Sequence, residues 1–168
     1  AVKACSNLSI LRLFAERGAF FDTVSEGEIA RVLAVGVPAN RIVFSGVAKS
    51  EREIEFALTQ GIFCFNVESV PELQRIHAIA TRLGKRAPIS LRVNPDVDAK
   101  THPYISTGLK ANKFGIAHTD ALAVYQQAAQ LSGLEIVGID YHIGSQITEL
   151  SPFLDAQNRL FDLVKQLA

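Results

Sequence analysis

Short apolar runs and amphipathic runs alternate along this chain, and that alternation restricts its fold more than any other feature. Strand-like runs end at Lys3, Asp22, Ser45, Asn66, Arg92 and His142, and the first four spacings are about 20 to 26 residues, the length of a βα unit in a parallel sheet. Helical stretches fill the gaps. Asn7 to Arg17 turns Leu8, Leu11, Leu13 and Phe14 to one side and stops at Gly18, and Ser25 opens a helix that runs to Gly36. Ser50 with Glu53, and Ser69 with Glu72, have capping-box spacing, predicting helices to Gly61 and to Leu83-Gly84. A later helix covers about Thr119 to Leu131. The last begins with Ser151 as N-cap and Pro152 as first helical residue, and carries Phe153, Leu154, Leu160, Phe161 and Val164 along one stripe.

Six such units predict an α/β fold, an incomplete (β/α)8 barrel occupying residues 1–168 as one structural unit. A doubly wound sheet is the rival, but no G-x-G-x-x-G follows a strand. Six units cannot close an eight-stranded barrel, so an open sheet edge is expected. The chain lacks Met and opens on residues that read as the interior of a strand, which marks it as a piece of a longer protein. Its 17 basic and 17 acidic residues balance, with no basic stripe to hold nucleic acid. No run is long enough to span a membrane and no signal peptide is visible. Cys5 and Cys64 are read as reduced thiols of a cytoplasmic protein, and no metal site is expected.

In parallel α/β folds ligands gather where strands end, and each of the six runs ends in a group that hydrogen-bonds or titrates. Lys3 stands between Val2 and Ala4. A lysine amine desolvated there is a nucleophile suited to imine formation, while the plainer alternative is a lysine that reaches water past the strand. Asp22 suits an ion pair with that lysine or an ordinary turn. Arg92 has the fork for a phosphate or phenolate, or for a surface salt bridge. The segment Gly133 to Gln146 begins as a buried strand through Ile136, Val137 and Ile139, then turns polar at Asp140, His142, Ser145 and Gln146 around Gly144. His142 has a flat ring for a cofactor, and Ser145 with Gly144 offers donors to a phosphate; a hydrogen-bonded rim histidine is the bland reading. The stretch from Asn94 to Gly115 is long for a loop, and its Lys100, His102, Lys110 and Lys113 read as a lid or substrate-contacting segment for anionic groups.

Ala1 to Ala4, Phe21 to Ser25 with Gly27-Glu28, Phe44 to Lys49, Phe65 to Ser69, Asn94 to Gly115 and His142 to Gln146 together resemble the diaminopimelate decarboxylase family. That family belongs to the alanine-racemase-like (fold type III) class of pyridoxal-phosphate decarboxylases. The resemblance runs in order through the whole chain. It implies pyridoxal 5'-phosphate as cofactor, with Lys3 forming the Schiff base, His142 stacked on the pyridine ring, Asp22 paired with the lysine, Arg92 near the phenolic oxygen and Ser145 by the phosphate. It also implies meso-diaminopimelate as substrate, L-lysine and carbon dioxide as products, and a homodimer. The loop with His102 to Gly108 and Lys113 to Gly115 favours diaminopimelate over ornithine or arginine.

The chain departs from the family's pattern in what it lacks. No tyrosine precedes Ala1, and Glu26 stands where a smaller residue is commoner. The glycine-rich phosphate loop, the acid facing the pyridine nitrogen, the substrate-gripping groups and the β-domain that donates a cysteine across the dimer would all lie beyond Ala168. A chain ending there is expected to be inactive alone. The alternatives are a non-catalytic cofactor-binding or regulatory homologue, and a related amino-acid decarboxylase or racemase.

Overall fold

A computed structural model describes residues 1–97 and 114–167. Its parallel sheet has strands β1 (Phe21–Thr23), β2 (Ile42–Phe44), β3 (Cys64–Val67), β4 (Ala87–Asn94), β5 (Ile116–Ala117) and β6 (Leu134–Asp140). Helices α1 (Leu8–Glu16), α2 (Glu26–Ala34), α3 (Glu51–Gln60), α4 (Val70–Arg82), α5 (His118–Ala129) and α6 (Ser151–Leu167) alternate with them. β1 to β4 lie side by side in chain order, and β6 pairs with β4. Neighbouring strands follow without the reversal of order that defines a doubly wound sheet, and α1 to α3 each touch the next helix. This is the arc of a (β/α) barrel, α/β as expected. No helix among the described residues is long and apolar enough to cross a membrane.

The sheet separates two faces because side chains alternate along each strand. Phe21, Ile42, Phe44, Phe65, Ile89 and Leu91 are fully or almost fully buried, packed in one core with Ile29, Ile54, Leu73 and Ile76 from the helices. The opposite face carries Asp22, Asn66, Ser90 and Arg92, registered across β1, β3 and β4. β6 departs from simple alternation. Ile136 pairs with Ile89 but Gly138 pairs with Ser90, so Val137 is an extra residue. That bulge reverses the alternation, and Asp140 comes to pair with Arg92. Without it Asp140 and His142 would share the face of Ile136.

Several local expectations are corrected. Val2–Ala4 form a 3-10 turn rather than a strand: Ala4 donates to the Ala1 carbonyl at 3.1 Å and Cys5 to Val2 at 3.0 Å. The turn lies against β1 without joining its ladder, and its backbone bonds close locally. Of the apolar residues assigned to the core side of α1 only Leu11 is buried; Leu8, Leu13 and Phe14 are exposed. In α6 the buried stripe is Pro152, Ala156, Leu160 and Leu163, so Phe153, Leu154, Phe161 and Val164 lie outside it. Ser151 is already helical, and the Leu150 carbonyl takes the first bonds of α6. β5 was not expected. It lengthens the edge of β4 at Val93 and Asn94, just past the reach of β6. The capping box at Ser50 and Glu53 is present, whereas Ser69 caps α4 without return from Glu72, which is engaged elsewhere.

Candidate active site

The carboxyl ends of the strands enclose a cavity of about 230 Å³. Lys3, Asp22, Arg92 and His142 all line it, although they come from the 3-10 turn, β1, β4 and the segment after β6. Ser45, Asn66, Glu68, Asp140 and Tyr141 complete the lining. Ser145 is not in it, and follows Gly144 as an exposed residue. The Lys100, His102, Lys110 and Lys113 assigned to a lid lie outside the described residues, as do Tyr104 and Leu109.

The near wall is a hydrogen-bonded row across three strands. Ser45 Oγ donates to Asp22 Oδ1 at 2.5 Å and accepts from Asn66 Nδ2 at 3.0 Å. Asp22 is therefore held by a hydroxyl, and no ion pair within 4.0 Å joins it to Lys3 among the described residues. Lys3 is exposed, so burial does not desolvate its amine as a strand position would have. It stands as an open amine at the cavity.

The far wall is charged. Arg92 Nη1 donates to Glu68 Oε2 at 2.7 Å, with the Arg92 side chain 13% and the Glu68 side chain 3% exposed. Arg92 Nε is buried with no hydrogen-bond partner among the described residues. The guanidinium also lies 5.8 Å from the Phe114 ring centroid. Asp140 accepts from Ser90 Oγ at 3.0 Å, and burial pushes its carboxyl up to about 7 although Ser90 and Arg92 pull it down. Partial burial, aided by Arg92 and Lys3, holds His142 below the ordinary histidine range. Cys64 faces the same interior; burial and the nearby Asp140 and Asp22 carboxylates push its thiol up to about 12, out of reach of nucleophilic chemistry at neutral pH.

Behind this wall lies a second amine, Lys49, which is 3% exposed. Its Nζ donates to Glu72 Oε1 at 2.6 Å, to the Gly46 carbonyl at 2.6 Å and to the Asn66 carbonyl at 2.8 Å. Three acceptors around a buried ammonium leave it structural. Residue-by-residue reading had passed over Lys49 and Glu68, whose signal was a charge set beside an apolar strand run.

Over residues 1–168 the sequence matches the family described as pyridoxal-dependent decarboxylase, pyridoxal binding domain. The chain belongs to that family. It is 64% identical over 168 residues to the diaminopimelate decarboxylase of Neisseria meningitidis serogroup B, covering 100% of this chain and 41% of that protein. It is 60% identical over 167 residues to that of Haemophilus influenzae, covering 99% and 40%. Among solved structures, the Helicobacter pylori diaminopimelate decarboxylase complexed with L-lysine superposes with a TM-score of 0.95 at 51% identity, over 99% of this chain and 42% of that one. An arginine decarboxylase of Paramecium bursaria Chlorella virus has a TM-score of 0.78 at 26% identity, over 96% and 42%. The chain thus spans about two-fifths of the length of these relatives.

The family implies pyridoxal phosphate, and the lining fits the ring end of that cofactor. Lys3 is an open amine for its aldehyde, the Arg92 guanidinium lines the wall, and His142 stands there two residues past β6. The described lining includes no hydroxyl or glycine cradle for a phosphate at Ser145.

Proposed function

We propose that this chain forms part of a pyridoxal-phosphate-dependent decarboxylase that converts meso-2,6-diaminopimelate to L-lysine and carbon dioxide in lysine biosynthesis. The observation that carries the reading is identity of 64% over the whole chain to a relative of that name. The arginine decarboxylase stands much further away, at 26%.

In this reading Lys3 holds the cofactor covalently, His142 lies against its ring, Arg92 sits near its phenolic oxygen and Asp22 lies at the lysine end, while Ser145, outside the described lining, has no supporting geometry for the phosphate role the resemblance implies. When bound, the cofactor supplies the electron sink for the carbanion left by the departing carboxylate. The protein supplies position and charge. Asp22, held by Ser45, is an anion close to the amine end of the cavity. His142, neutral around pH 7, presents an uncharged ring instead of a cation. The Arg92 charge is matched by Glu68, so the cavity wall carries no bare excess of positive charge there. We place the protein in the cytoplasm and read the intact enzyme as a homodimer.

A chimera tests this. This chain would replace the matching segment of the Neisseria meningitidis relative, and lysine release from meso-diaminopimelate would be measured with pyridoxal phosphate present. Release is expected, together with a borohydride-fixed cofactor adduct at Lys3. Both should vanish in Lys3→Ala. A folded chimera that takes up cofactor but releases no lysine refutes the reaction, and an adduct at other lysines refutes the site.

A further inference from the structure

The charged wall is built as a relay. Lys49 binds Glu72 through Oε1, and Glu72 Oε2 accepts from the Glu68 backbone N–H at 2.9 Å. Glu68 then divides its own carboxylate: Oε1 accepts from the Gly46 N–H at 2.9 Å, and Oε2 takes Arg92. Gly46 is gripped from both ends, since its carbonyl accepts from Lys49. Its φ of 99° suits glycine, and a Cβ there would stand 3.4 Å from Val24 Cβ. Four elements, the loop after β2, the end of β3, the start of α4 and the tip of β4, are tied together at one residue, Glu68.

We propose that Glu68 is the positioning residue of this cavity, holding the Arg92 guanidinium at its wall through the buried chain that runs back to Lys49. An arginine side chain has many rotamers, and placing one guanidinium nitrogen within hydrogen-bond reach requires a fixed partner for another. Glu68 fixes Nη1, so the guanidinium that lines the cavity keeps one orientation. The carboxylate is itself fixed by a backbone N–H and by its own peptide, so it does not drift with the arginine. Glu68 thus acts through Arg92 rather than on the ligand. The geometry stands on its own; the consequence for cofactor binding rests on the function proposed above.

A double-mutant cycle separates this from a merely structural role. Pyridoxal phosphate affinity would be measured by absorbance for the wild-type chain, Glu68→Gln, Arg92→Gln and the double variant, with thermal melts alongside. The His142 titration would be followed by NMR without cofactor. Glu68→Gln is expected to weaken cofactor binding about tenfold, the size of one lost charge-assisted contact, and to less than about twofold when Arg92 is already Gln. The His142 midpoint should fall in Glu68→Gln, which removes an anion and leaves Arg92 uncompensated. In the Arg92→Gln background only the direct loss of the Glu68 charge remains, so the shift should differ in size. His142 faces Lys3, Arg92, Glu68 and Asp22, so the comparison needs all other charges unchanged. Glu68→Asp keeps the charge and shortens the reach, and is expected to bind cofactor several-fold more weakly than wild type. Equal losses from Glu68→Gln with and without Arg92, or wild-type affinity in Glu68→Asp, overturn the proposal. If the wild-type chain takes up no pyridoxal phosphate, the cofactor reading fails for this chain. The His142 cycle then still decides the positioning role, because equal shifts in the two backgrounds refute it.

Discussion

β4 and β6 are neighbours with similar apolar sequences and opposite fates. In β4 Ile89 is fully buried, with helices over one face and strands on both sides; its registered partner in β6, Ile136, is 40% exposed, and Val137 beside it is 43% exposed. Tyr125, Ala129, Ile136, Val137, Val164 and Leu167 line an open apolar groove of about 530 Å³ along that strand. The difference is one of company. β-branched residues specify a face that prefers cover, and whether cover arrives depends on what lies alongside.

The strongest way to break the comparison is at the covered side. Lys49→Met removes the cation from an ion pair whose side chains are 1% and 6% exposed, stranding Glu72 without its partner. Losing one member of such a pair costs about 3 to 5 kcal/mol, and chemical denaturation of the variant should show a loss of that order. A loss below about 1 kcal/mol would mean that the relay behind the cavity is not as dry as its geometry indicates.

The paired isoleucines sharpen it. Ile89→Ala should cost about 2 to 5 kcal/mol through lost burial and an unfilled cavity. Ile136→Ala, at the open edge, should cost about 1 kcal/mol or less. Urea melts of both variants check this, and equal losses would show that the β6 face is covered in solution, for example by a second copy of the chain.

The same contrast explains what could be read in advance. Units two to four were legible because Ser25, Ser50 and Ser69 mark helix starts and Gly61 accepts a left-handed φ of 74°, all local chemistry. Arg92 and His142 were found as polar ends to apolar runs, and the cavity that gathers them follows from parallel strand order. Three things were not legible. Val2–Ala4 look like a strand because an apolar pattern reports side chains and not whether the backbone joins a ladder. The bulge at Val137 leaves no mark in an unbroken apolar run, although it turns Asp140 to the cavity side. The Lys49, Glu72 and Glu68 relay is a long-range arrangement, and the capping-box spacing of Ser69 and Glu72 pointed to a different use of the same carboxylate.

A pH-dependent effect lies where the two strands meet, at Asp140 opposite Arg92. A carboxyl raised from 3.8 to about 7 on folding binds its proton more tightly in the native state than in the unfolded one. Between those two values stability therefore falls as pH rises, and the full penalty is present above about 7. Asp140→Asn keeps the shape and can accept from Ser90 without ever ionising. At pH 8 it should be more stable than wild type by about 1 to 3 kcal/mol, a figure discounted for partial exposure, and the gain should fade toward zero near pH 4. Thermal melts of both proteins across that range provide the check. A gain that persists unchanged at pH 4 would assign it to packing. No gain at pH 8 would show that Arg92 compensates the Asp140 charge despite its pairing with Glu68, and that the β4–β6 seam is electrostatically as well satisfied as the wall behind it.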